Sequence, residues 1–139
     1  MGYERRVVDG VVQTIVEGCM TVDGCVNSIR ELDGFIADNR LYEMVIYRPG
    51  VTADLEFNHQ TRIMREAIEM LSPLDHCAVA FVADLDFVYG MCRQLQLQIE
   101  NDRILMSVFR TEATAWAWIN EMRSYAQSAL TQESTPIAD

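Results

Sequence analysis

The 139-residue chain predicts a single-domain α/β fold: a five-stranded mixed sheet in the order β-β-α-β-α-β-α-β-α, with an N-terminal antiparallel hairpin and helices packed on the sheet. Three observations predict it. Two β-rich runs flank the dipeptide Asp9-Gly10, a pair suited to a tight hairpin turn. From Cys77 to Ile119, strand and helix periods alternate twice within about forty residues. Polar capping or turn residues mark each change of period. A chain that is 50% hydrophobic, with three Pro and four Cys, is long enough for one substantial core and too short for a second domain.

Taken in order, Glu4–Val8 and Val11–Glu17 form the opening hairpin. Thr21 stands as the N-cap of a first helix, with Asp23 favourably placed in its positive first turn. Val22, Val26, Ile29, Leu32 and Ile36 then recur at helical spacing, with Phe35 beside them. Tyr42–Tyr47 is a third strand, stopped by Arg48-Pro49-Gly50. The stretch Val51–Phe57 reads as a loop, and Asn58 as the cap of a second helix that turns Ile63, Met64, Ala67, Ile68 and Leu71 inward. Ser72-Pro73 closes it.

Cys77–Ala83 is apolar throughout, the pattern of a strand covered on both faces, and is expected in the middle of the sheet. Asp84 or Asp86 caps a third helix with the stripe Val88, Met91, Cys92, Leu95 and Ile99. Gly90, inside that helix, costs about 1 kcal/mol relative to Ala, which predicts compensation by close approach of a neighbouring helix or strand or, alternatively, of a ligand or partner. Ile104–Phe109 is the fifth strand. Thr111 caps a last helix whose inner set is Ala115, Ile119, Met122 and Ala126, with Trp116 and Trp118 on its flanks. The domain is expected to span residues 1–126. Residues 127–139, rich in Thr, Ser, Gln and Ala, read as a frayed or mobile polar tail.

Charge narrows the function classes. The net charge is −10 and all eleven basic residues are Arg. Such a surface repels phosphate backbones and anionic membranes, so no nucleic-acid partner is expected. The absence of Lys excludes Lys nucleophiles and Schiff bases. No leader and no membrane-spanning run are read, so no stable membrane insertion and a cytoplasmic location are expected. Cys19, Cys25, Cys77 and Cys92 have no zinc-type spacing, with or without His59, and read as reduced thiols; neither metal nor cofactor is expected. His76-Cys77 pairs a base with a thiol in sequence, yet neighbours on a strand face opposite ways. Glu66 with Glu69 reads as helix-surface charge, and no catalytic residue is assigned.

Tyr89-Gly90-Met91-Cys92-Arg93, Val108-Phe109-Arg110 and Ala115-Trp116-Ala117-Trp118-Ile119 together resemble the motif series of bacterial SpoIIAA-like proteins. That family is of STAS type, related in fold to anti-sigma factor antagonists and to CRAL-TRIO lipid-exchange domains. The resemblance runs from Val7 to about Met122, with its readable motifs in the second half. It implies a noncatalytic regulatory or protein-interaction module, commonly a homodimer. STAS antagonists carry a phosphorylatable Ser at the start of the helix after the third strand. Here Asn58 stands in that place; it cannot be phosphorylated.

The polar residues of interest are Arg48, ending the third strand, and Arg110, ending the fifth. Both fall at the carboxyl edge, where open α/β sheets commonly bind ligands. Tyr47, Asp84, Tyr89 and Thr111 join them there. They suit a carboxylate or phosphate; the plainer reading pairs the guanidinium groups with Asp84 or Glu112. Two function classes follow. The first is an interaction module, a homodimer or the holder of a regulatory partner, anchored by Trp116. The second is a carrier or sensor of a small amphipathic or anionic ligand, its acid head near Arg48 or Arg110.

Overall fold

Residues 1–134 are described by a computed structural model. Strands β1 (Gly2–Val8) and β2 (Val11–Glu17) form the opening hairpin. Its turn residues Asp9 and Gly10 both take positive φ, 50° and 78°, as the two-residue turn that matches strand twist requires. A two-residue strand β3 (Cys19–Met20) leads to α1 (Val22–Glu31), and Thr21 Oγ1 accepts the Gly24 amide at 3.1 Å as its cap. A 3₁₀ turn at Leu32–Phe35 ends the helical stretch. Then come β4 (Arg40–Tyr47), β5 (Thr52–Ala53), α2 (Phe57–Leu71), β6 (His76–Val82), α3 (Asp86–Ile99), β7 (Ile104–Phe109) and α4 (Glu112–Ser134).

The main sheet has the order β1-β2-β4-β6-β7, antiparallel at β1–β2 and parallel elsewhere. The five-stranded mixed sheet is therefore as expected. Each crossover from β2 onward steps the same way across the sheet. Right-handed connections in one direction put their helices on one face, and α1, α2 and α3 share a core with the face bearing Val16, Val45, Val79, Phe81 and Met106. The last helix follows the last strand and is free of that rule. It covers the opposite face, where Ala115 and Ile119 meet Val11, Met44, Ala80 and Val82.

Several details differ from the expectation. The central strand is β4, with β6 between it and β7. Both are interior, but Cys77–Val82 carries only small and apolar side chains after His76, whereas β4 carries Glu43; the polar residue disguised the true centre. The stretch expected as a loop holds β5, which pairs in parallel with β3 beside the main sheet. Two-residue strands are too short to show a period.

Caps moved as well. Helix α2 has Glu56, not Asn58, as its N-cap: the Glu56 amide donates to His59 Nδ1 at 3.1 Å. Closing the first turn with His59 leaves Asn58 exposed inside it. Helix α3 is preceded by Leu85 and has no side-chain cap. Asp84 and Asp86 are engaged instead by Arg110, through the Asp84 carbonyl at 2.7 Å and Asp86 Oδ1 at 2.9 Å.

Gly90 has no close neighbour. A Cβ built there meets nothing within 4 Å, so the expected compensation by close packing is absent. Gly24 is the contrary case: its Cβ would lie 2.7 Å from Met1 Sδ. Thr111 does cap α4, its Oγ1 accepting the Thr114 amide at 3.3 Å. That helix continues through Ser134, past the point at which its apolar period fades. The last five positions of the expected tail, 135–139, lie outside the described residues. Among those described, no helix is long and apolar enough to cross a membrane.

Candidate functional site

Between the sheet and α1–α3 lies a cavity of about 130 Å³. It exists because the facing side chains are long but do not interlock. Met20, Val45, Phe81 and Met106 rise from the strands, and Ile63, Ala67, Leu71, Met91 and Leu95 descend from α2 and α3. Ala67 is the one small residue of that helix set, so the gap lies partly under it. Methionines supply much of the wall, and their flexible thioethers adapt to an occupant at low cost.

One side of this apolar space is polar. Arg5 of the edge strand β1 is opposite Thr14 of β2 in the register, and its side chain is only 6% exposed. Its Nε donates to Thr14 Oγ1 at 3.0 Å and its Nη2 to Ser28 Oγ of α1 at 2.8 Å. The Thr14 hydroxyl donates in turn to Glu43 Oε2 at 2.6 Å. Glu43 sits on β4, and the same oxygen is 3.9 Å from Arg5 Nη2. The guanidinium also lies 5.3 Å from the Tyr3 ring centre and 5.9 Å from that of Phe35. Its Nη1 has no hydrogen-bond partner and faces Glu31 at 4.0 Å.

Arg5, Thr14, Ser28 and Glu43 all line the cavity. Glu43 is 4% exposed. Burial pushes its carboxyl above the usual range, and the Thr14 hydrogen bond and Arg5 charge act against that rise. Its second oxygen, Oε1, has no hydrogen-bond partner among the described residues. Ser28 accepts from Arg5, and its own hydroxyl proton likewise has no acceptor there.

Tyr47 and Cys25 also line the cavity, and Cys92 lies in the core beside it. Burial raises the Tyr47 hydroxyl's pKa well above the ordinary value, and the neighbouring Cys92 thiol adds to the rise. Burial pushes the Cys25 thiol up to about 11 and the Cys92 thiol to about 12. No family model, curated protein or solved structure matches this chain. The site is therefore read from its own chemistry.

Of the residues expected to matter, Tyr47 lines the cavity; the others lie elsewhere. Arg48 is exposed at the end of β4, its side chain without a partner among the described residues. Arg110 lies two strands away. Its guanidinium stacks 4.1 Å from the Tyr89 ring centre and is held by Asp84 and Asp86, close to the plainer local-pairing reading. Thr111 is occupied as a cap and in a 2.8 Å hydroxyl contact with Thr114. Trp116 is half-buried against the α4-side core, and Trp118 packs on Phe109 at 5.7 Å. None of these others lines the cavity.

His76 and Cys77 face opposite ways, His76 toward Tyr42 at 5.6 Å and Cys77 into the helix-side core. Burial lowers the His76 value and raises that of Cys77, so neither is poised as an ion. Among the described residues no three His, Cys, Asp or Glu side chains come together as a metal-ligand group. Sequence reasoning passed over Arg5, Thr14, Ser28 and Glu43. The signal was present in Glu43, a carboxylate inside an otherwise apolar interior strand, which requires a buried partner.

Proposed function

We propose that this chain is a noncatalytic binding module that holds a small, largely apolar molecule between its sheet and α1–α3. The observation that carries it is the cavity of about 130 Å³, apolar on most sides, with unsatisfied hydrogen-bonding capacity on one. An engineered cavity of ~150 Å³ lined by apolar side chains stays dry and admits benzene, so an occupant of about one ring is the expected size. This reading keeps the carrier or sensor class and moves its site from the carboxyl edge to the interior. A SpoIIAA-like, STAS-type relationship is part of the proposal, supported by the quoted motifs and by the element order.

Toluene tests it directly. Titration of the full chain, followed by methyl NMR of Met20 and Met106, is expected to show saturable shifts at those residues. Ala67→Leu fills the space from α2 and is expected to abolish them while leaving the fold intact. Saturable binding that survives Ala67→Leu unchanged, or no binding to the parent chain, refutes the reading.

A regulatory interaction module remains the second reading, favoured by the outer face of α3. Phe87 is 50% exposed and Leu97 75% exposed, and with Gly90 and Gln94 they share one side of the helix. Paired apolar residues around an open glycine suit a second helix, as in a homodimer. Sedimentation of the parent chain against Leu97→Asp checks it: a monomer at every concentration removes this reading.

A further inference from the structure

Within the cavity just proposed, we infer that Glu43 selects the occupant: a one-ring neutral molecule bearing a hydroxyl or N–H donor, of the phenol or indole class, and not an acid. The inference rests on the binding reading and adds the chemistry of recognition to it.

Unmet hydrogen bonds and local charge determine which occupant fits. Glu43 Oε2 is taken by Thr14, whereas Oε1 is free among the described residues in a side chain that lines the cavity. Oε1 is not among the fully buried unpartnered atoms, so it is an acceptor with no protein donor that stays accessible to an occupant of the cavity. A ligand hydroxyl or N–H gains a hydrogen bond there; a bare hydrocarbon gains none and displaces any water from it. Ser28, whose proton is uncommitted, can return a hydrogen bond to a ligand oxygen.

Charge excludes the acid. One cation, Arg5, stands near two carboxyl groups, Glu43 at 3.9 Å and Glu31 at 4.0 Å. The hydrogen bonds of Arg5 are directed to Thr14 and Ser28, and its remaining nitrogen points to Glu31. Arg5 Nη1 has no hydrogen-bond partner, but a ligand carboxylate would have to share that one cation with two carboxyl groups, inside a chain of net charge −10.

Calorimetry or NMR titration of the full chain at pH 7 with toluene, phenol and benzoate tests the inference. Phenol is expected to bind about tenfold more tightly than toluene, the factor that one hydrogen bond to the Glu43 carboxyl supplies, and benzoate more weakly than either. In Glu43→Gln the phenol preference is expected to fall by about tenfold with toluene affinity unchanged, which also shows that the variant is folded. Phenol no tighter than toluene, benzoate tighter than phenol, or an unchanged preference in Glu43→Gln overturns the inference and leaves the binding module standing. Failure of all three to bind the parent chain overturns both.

Discussion

Replacing Arg5 by Met removes the charge beside Glu43 while keeping an unbranched apolar stem between the Tyr3 and Phe35 rings. Two hydrogen bonds are lost, to Thr14 and Ser28, costing about 1 kcal/mol each at any pH. The remaining cost depends on pH. Arg5 lowers the Glu43 value, against burial, which raises it; without Arg5 the folded-state value rises further. A buried carboxyl whose folded value is raised contributes stability fully below its unfolded value, and that contribution is lost as pH rises through the folded value. The window therefore opens near the ordinary value of 4.5 and extends upward. Its ceiling is the cost of keeping the carboxyl protonated, about 3 kcal/mol at pH 7 and under about 1 kcal/mol at pH 5. Arg5→Met is thus expected to destabilise by about 2–5 kcal/mol at pH 7 and about 2–3 kcal/mol at pH 5. Urea unfolding at both pH values measures it; groups untouched by the change cancel in the difference. The double variant Arg5→Met/Glu43→Gln should lose the pH dependence. A destabilisation equal at both pH values, or larger at pH 5, refutes the reasoning.

The other predictions concern sites where the structure leaves space or closes it. Gly90→Ala adds a Cβ to open space on α3 and should stabilise the chain by about 0.5–1 kcal/mol, read as a rise in the urea midpoint; a fall would show a neighbour that the space does not reveal. At pH 7.5, iodoacetamide should add one group rapidly to the native chain, at exposed Cys19. Cys25, pushed up to about 11, and buried Cys77 and Cys92 should react only on unfolding. Mass spectra showing a second adduct at a comparable rate would contradict that burial.

What the sequence revealed follows from what has a period. The Asp9-Gly10 hairpin, the Thr21 and Thr111 caps, the Val88–Ile99 stripe and Ile104–Phe109 were all legible, because each is set by neighbours a few residues away. The centre of the sheet was not: apolar content points to Cys77–Val82, while pairing order places β4 there. Nor were the caps of α2 and α3, where Glu56 with His59 and the Arg110 contacts displace the expected residues. The cavity was least legible of all. Its polar side joins Arg5, Thr14, Ser28 and Glu43 from four separate elements, and its volume depends on side chains that fail to meet. A pattern along the chain carries neither quantity.

Glu43 shows how this ambiguity could have been reduced. A carboxylate in an interior strand either belongs to a mistaken strand assignment or implies a buried partner. The second branch points to the long cationic residues of the adjacent hairpin. Arg5 and Arg6 are consecutive on β1, so alternation sends only one of them to the helix face. Thr14 decides which, being opposite Arg5 and on the face of Glu43; Arg6 pairs with Gln13 on the other face instead. The same register that buries Arg5 leaves its guanidinium as the wall of a cavity that α1 does not fill. Structural and binding roles of the cluster are then separable by residue. Arg5→Met reports on charge balance and the wall through stability, and Glu43→Gln on the free acceptor through the phenol-to-toluene ratio. A cluster retained only for the fold would respond to the first and be silent in the second.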